Sequence, residues 1–173
     1  MEFRRKNRCF LKNPGEFKFG GRRSLQIELN ILGNTCGGCQ YHSFPYKATP
    51  PIAINGHKGL KDFNGVDDVW EVVDLLIKEV KDNNMEKGTE FDISQSINAQ
   101  LPFFTCRNIF IDKDIQKDIR RYVYCKDLGV SPYKGSFDEH PAVWIDKYFL
   151  IKQSFAKTEK RQIAESKRKN KNG

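Results

Sequence analysis

Alternation is the first pattern the chain presents. Over residues 24–32, Leu25, Ile27, Leu29 and Ile31 alternate with Gln26, Glu28 and Asn30, the period-two spacing of a strand with one buried and one wet face. A strand ending at Gly33-Asn34 is therefore expected. Ahead of it, Asn13-Pro14-Gly15 reads as a turn, and Phe17, Phe19 and Gly20-Gly21 as a hairpin edge. Ile52 to Ile54 offers a short strand before Asn55-Gly56, a strong turn pair. The period changes at Val66. Val69, Trp70, Val73, Leu76, Ile77 and Val80 recur at helical spacing, with Asp67, Asp68 and Glu71 in the positive first turn. This predicts a helix over 66–81, stopped by Asn83-Asn84. Residues 89–101 fit both periods, since Phe91 and Ile93 alternate while Ile93, Ile97 and Leu101 are spaced by four.

The clearest signals lie between residues 109 and 164, which read as two helices joined by an ordered loop. Asp112 or Asp114 can cap the first, and Ile115, Ile119, Tyr122 and Val123 share a face with the alkyl stem of Lys126. Gly129 ends that helix, and Pro132 lies beyond it. The second helix starts at Pro141, with Asp138 or Glu139 as cap and dipole partner. Its apolar positions, Trp144, Ile145, Tyr148, Phe149, Ile151, Phe155 and Ile163, give way to Lys, Arg, Gln and Asn. The expected fold is a single α+β domain: a small antiparallel sheet from the N-terminal half, about three packed helices, and a long C-terminal helix running into a disordered basic tail.

At 173 residues with 38% hydrophobic content, the chain can bury a core without disulfides. No apolar run approaches the roughly 20 residues of a membrane helix, and no stretch near Met1 has signal-peptide character, so an intracellular protein, or one assembled inside a cell, is expected. The net charge of +8 is unevenly placed. Residues 1–23 hold eight Lys/Arg against two Glu, a net +6; residues 157–173 hold seven against two, a net +5; the body, 24–156, has 15 basic and 18 acidic residues, a net −3. Cationic arms on a near-neutral body suit phosphate contact. Arg4, Arg5, Arg8, Arg22 and Arg23 at one end and Lys167, Arg168, Lys169 and Lys171 at the other are the candidate nucleic-acid contacts. Tyr41, Phe44, Tyr46 and Phe63 are candidate stacking residues beside Lys47, Lys58 and Lys61, although aromatics in such segments more often anchor a core.

Five cysteines, an odd number, do not read as a secreted disulfide framework. Cys36-Gly37-Gly38-Cys39 can aim two sulfurs at one metal, because the glycines let the turn close tightly. Cys106 and Cys125 would complete a structural zinc site, with His42 as a substitute ligand. The competing fate of Cys106 and Cys125 is as small buried hydrophobes beside Phe104 and Tyr124. Thioredoxin-like redox chemistry needs a helix after the first cysteine, and Pro45, Pro50 and Pro51 forbid one there.

A catalytic reading finds little support. Only His42, His57 and His140 are available, in three separate contexts, and no metalloprotease, serine-hydrolase or nucleotide-binding motif occurs. Asp112, Asp114 and Asp118 fit helix-start charge, with Asp114 and Asp118 pairing with Lys117 and Arg121. The run YVYCKDLGVSPYKGSFDEHPAVW, with Pro132, Tyr133, Gly135, Pro141 and Trp144, resembles the ends of small uncharacterised tailed-bacteriophage proteins over about a third of the chain. That resemblance implies a phage accessory or virion-assembly role in the host cytoplasm or the virion, and assigns no functional residue. Two functions follow as expectations: a non-catalytic nucleic-acid-facing protein, or an assembly component docking on protein partners through Pro132, Tyr133, Phe137 and Trp144.

Overall fold

The computed structural model describes residues 21–33 and 36–171, with the backbone alone described at Lys171. The turn at 13–15, Phe17 and Phe19, and Arg4, Arg5 and Arg8 lie outside the described residues. Five helices and one two-stranded sheet follow in order: α1 (Arg22–Leu32), β1 (Tyr46–Ala48), β2 (Lys61–Phe63), α2 (Val66–Lys87), α3 (Ile93–Gln100), α4 (Lys113–Leu128) and α5 (Ala142–Lys171). Among the described residues the architecture is α+β, with five helices rather than about three, the last of them long.

The expected strand over 24–32 is α1, which corrects the first expectation. Leu25 and Leu29 stand one helical turn apart and enter one cluster with Phe63, Val69, Leu76, Ile97 and Phe104. Ile27 and Ile31 stand one turn apart on the opposite side and join a second cluster with Ile119, Tyr122, Trp144 and Ile151. In a helix, residues two apart differ by about 200° around the axis, so a helix buried on two opposite faces alternates as a strand does. Burial on both sides decides against the strand. Asn30, itself buried, ties α1 to the start of α4. Its amide donates to Phe110 O at 2.9 Å, and its carbonyl oxygen accepts from Asp112 N at 3.0 Å.

The sheet is small and antiparallel, pairing Tyr46 with Phe63 and Ala48 with Lys61. Ile52 to Ile54 forms no strand, only a bridge from Ile54 to His57 around Asn55-Gly56, where both residues have positive φ. Helix α2 runs past Asn83-Asn84 to Lys87, ending at Gly88 with φ 60°. Instead of stopping the helix, Asn84 holds the next segment, accepting from Phe91 N at 3.0 Å. The ambiguous residues 93–100 are helical, with Asp92 accepting from Gln95 N. Asp112 caps α4 and Gly129, φ 65°, ends it. Glu139 accepts from Ser136 N and so closes a 3-10 turn rather than capping α5. Asp118 pairs with Lys147, and the Arg121 guanidinium covers the rings of Tyr133 and Trp144 at 5.6 and 5.3 Å, so neither takes part in the expected pairing along α4.

Glu28 sits at the centre. It is only 2% exposed, and Arg161 Nη2 meets its Oε2 at 2.8 Å while Lys157 Nζ lies 3.6 Å from its Oε1. Both cations also reach Asp92 Oδ2 at 3.3 Å. Four charges thus join α1, α5 and the residue that caps α3. The basic tail expected from residue 157 is therefore part of the body as far as Arg161 and helical to Lys171.

Removing Arg161 leaves Glu28 as a poorly compensated buried charge. Arg161→Ala is expected to cost about 3 kcal/mol in urea unfolding, and adding Glu28→Gln should recover more than half of the loss. Burial raises the Asp92 carboxyl, but the Gln95 N–H and the charges of Lys157 and Arg161 outweigh it, leaving its pKa below the usual carboxylate value. The contribution is fully present above about pH 3.9 and is lost as pH falls through the lower folded value. The acid-side drop in urea midpoint should be visibly shallower in Asp92→Asn.

Candidate metal centre

Where α1 ends, Gly33 has φ 68°, and the turn that follows places Gly38 at φ 108°, a left-handed conformation that glycine adopts without steric cost. The turn presents Cys36, half-buried, and Cys39, exposed, with His42 one short step on. The aromatic residues beyond them carry this segment to the core. Tyr46 packs on Tyr41, Phe44 and Phe63 with ring centroids 5.1 to 5.3 Å apart, and Phe63 continues to Phe104. These four rings are thus engaged with one another and the core, instead of standing clear to stack on bases.

Two hydrogen bonds then clamp a distant segment alongside. Tyr41 donates to Phe103 O at 3.4 Å and Tyr46 to Thr105 Oγ1 at 3.3 Å. Between and just beyond those residues the chain turns, and Cys106, buried, is delivered to the CxxC turn. Its sulfur accepts from Asn108 N at 3.4 Å. Cys36, Cys39, His42 and Cys106 bring their ligand atoms within 4.8 Å of one another.

The donor set fits zinc. With Zn–S near 2.3 Å and Zn–N near 2.05 Å, tetrahedral geometry separates sulfur from nitrogen by about 3.5 Å and sulfur from sulfur by about 3.8 Å. Cys106 Sγ and His42 Nε2 are 3.5 Å apart. His42 Nδ1 lies 2.8 Å from Cys39 O, the outer hydrogen bond that leaves Nε2 as the lone-pair donor. The 4.8 Å limit exceeds the tetrahedral edge by about 1 Å, so an ion would draw the most mobile donors inward. The thiols are unlike. The Gly38 backbone N–H holds Cys36 down at about 7, while burial pushes Cys106 up to about 12.

Cys125 is not part of this group. It lies on the buried face of α4 and lines a cleft of about 290 Å³ with Pro132, Phe137, His140 and Trp144. Packing on α5 fixes it there as a small apolar residue, and His42, the substitute in the sequence, takes the fourth place. Beside that cleft the Ser131 hydroxyl donates to Tyr133 O at 2.7 Å, and His140 Nε2 lies 3.1 Å from Ser131 Oγ.

The remaining sequence candidates divide. Arg22 belongs to the body, its guanidinium 4.1 Å from the Trp70 ring centre and 3.8 Å from Asp74. Arg23 is exposed on α1, and Lys167, Arg168 and Lys169 are exposed on α5. Lys171 ends the helix, its side chain outside the described residues. Trp144, expected on a partner surface, is 4% exposed and belongs to the second core, with Tyr133 packed against it. Phe137 is 61% exposed at the cleft rim and Pro132 lines its wall.

Expression in zinc-supplemented medium should yield about one zinc per chain by elemental analysis. Cys106→Ser and His42→Ala should fall well below half of that, and Cys125→Ser should retain it in full; loss of zinc in Cys125→Ser alone would overturn the ligand assignment. Compared with protein-family models, with curated proteins and with solved structures, the chain matches none.

Proposed function

We propose that the protein is a non-catalytic nucleic-acid-binding protein, stabilised by a structural zinc ion on Cys36, Cys39, His42 and Cys106, whose outer α5 residues contact phosphates. One observation carries this. Beyond Arg161, where the pairing with Glu28 and Asp92 ends, α5 continues for ten residues to Lys171, exposed from residue 162 through residue 170. On that stretch Lys167, Arg168 and Lys169 are exposed, as is Lys160 just before Arg161, and none of the four forms an ion pair among the described residues. At 100° per residue, Lys160, Lys167 and Arg168 fall within an arc of about 100°, a stripe suited to one side of a polyanion. Arg4, Arg5 and Arg8 add cations at the other end of the chain. Contacts of this kind supply affinity without sequence preference.

The zinc would act on stability and position. It would staple the segment after α1 to the turn before α4, two regions 64 residues apart between His42 and Cys106.

A second reading, a phage assembly component, is favoured by the exposed Phe137 at the mouth of the apolar cleft and by the resemblance of the C-terminal third to tailed-phage proteins. Here the partner would be a protein, and the basic helix would order on a neighbouring subunit.

The discriminating measurement is fluorescence anisotropy with labelled duplex DNA across a salt series. Wild-type affinity should fall steeply with salt. Replacing Lys160, Lys167, Arg168 and Lys169 by Gln should weaken binding at least tenfold and flatten the log–log slope by about 3 to 4. A wild-type protein that binds no nucleic acid but forms large oligomers would favour assembly instead.

A further inference from the structure

Lys113, Lys117 and Arg120 follow one another along α4 at intervals of four and three, which places them on one face. With Gln116, Ile111 and Gly33 they line an open cleft of about 660 Å³ beside the end of α1. All three cations are exposed, and none forms an ion pair among the described residues. Among the described residues no carboxylate lines the cleft. Two of the nearby acids are engaged elsewhere: Asp112 accepts from Asp114 N and Ile115 N, and Asp118 holds Lys147. Asp114, three residues before Lys117, makes no ion pair with it. Gln116 is fixed as part of the wall, its amide donating to Asn30 O at 2.8 Å.

The arrangement is linear rather than convergent. From Lys113 to Arg120 the helix rises about 10.5 Å, the axial rise of about three nucleotides along one strand. A single small anion would be met best by cations closing on one point. A row of cations over that length matches a row of phosphates.

We propose that the α4 cleft is a phosphate-binding site, taking successive phosphates of a nucleic-acid backbone through Lys113, Lys117 and Arg120. This rests on the nucleic-acid function proposed above and adds to it a contact surface on the rigid body, separate from the α5 extension. Because α4 is capped, packed and hydrogen-bonded to Asn30, the helix positions that carry its cations are fixed before the ligand arrives. They lose less freedom on binding than cations on a mobile arm.

The test uses the full chain and the variant Lys113→Gln/Lys117→Gln/Arg120→Gln, with Lys134→Gln as an exposed-loop control. Probes are a labelled duplex of about 20 base pairs and inorganic tripolyphosphate. The triple variant should bind duplex at least tenfold more weakly, with a salt slope shallower by about 3 and an unchanged urea midpoint, while the control matches wild type. If wild type binds duplex and the triple variant binds it within twofold, the cleft is refuted and the nucleic-acid function stands. If wild type binds no duplex but binds tripolyphosphate, and the triple variant does not, the nucleic-acid function falls and the cleft stands as a polyphosphate site. Binding of neither probe by wild type refutes both.

Discussion

A carboxylate buried on the central helix sets the terms for the rest of the fold. Removing Glu28 from water costs several kcal/mol, and the helix that carries it has core on both sides. A cation brought in from elsewhere offsets that cost: Arg161 meets the carboxylate at 2.8 Å, with Lys157 behind it. Two cations on one carboxylate would leave an excess of positive charge. Asp92 balances it and at the same time caps α3. The position of α5 on α1, the position of α3 beside both, and the point at which α5 leaves the body are therefore linked through four side chains. Specificity is the natural consequence of such a group: a slipped α5 would lose the Glu28 contact outright, whereas slipped apolar contacts lose only a fraction of their burial.

Legibility in the sequence followed how local each determinant is. The Asp112 cap, the Gly129 stop, the Asn55-Gly56 turn and the beginning of α2 were all readable, because each depends on residues within one turn of the chain. Helix α1 was not. Leu25, Ile27, Leu29 and Ile31 carry two apolar stripes at i, i+4 spacing on opposite sides, and that pattern matches a strand when nothing says what lies on each side. Asn83-Asn84 failed as a stop for a related reason, since the Asn84 side chain bonds to Thr89 and Phe91, contacts made only once the chain has turned back. Glu28 and Asp92 read as ordinary polar positions, because the cations that use them are over 60 residues away.

The metal group divides along the same line. The glycine turn and two of its sulfurs were visible as a motif, and His42 was visible as an alternative ligand. Choosing between Cys106 and Cys125 required knowing that Tyr41 and Tyr46 clamp residues 103 and 105 beside the turn, which no spacing rule encodes. The face of α4 decides the rest. Cys125 shares the buried side with Ile119 and Tyr122 and is committed to the packing with α5, so its sulfur serves as volume. Cys106 lies in an irregular connection where the Asn108 backbone N–H points at the sulfur and offsets part of the burial that raises its pKa.

Net charge counted by segment also concealed something. Treating residues 24–156 as a body of net −3 averages α2, whose outer positions include Asp67, Asp68, Glu71, Asp74 and Glu79, with α4, which exposes Lys113, Lys117 and Arg120. A phosphate near the surface responds to charges within about 8 Å at physiological salt, so it meets one helix face or the other and never the average. The same holds at the ends of the chain. Arg22, Lys157 and Arg161 counted toward the cationic arms, yet their charge is spent against Asp74, Glu28 and Asp92, and they add little to the field that an approaching polyanion meets. What remains available is set by the fold: cations beyond the last internal ion pair on α5, and the cations of α4 that line the cleft beside the end of α1.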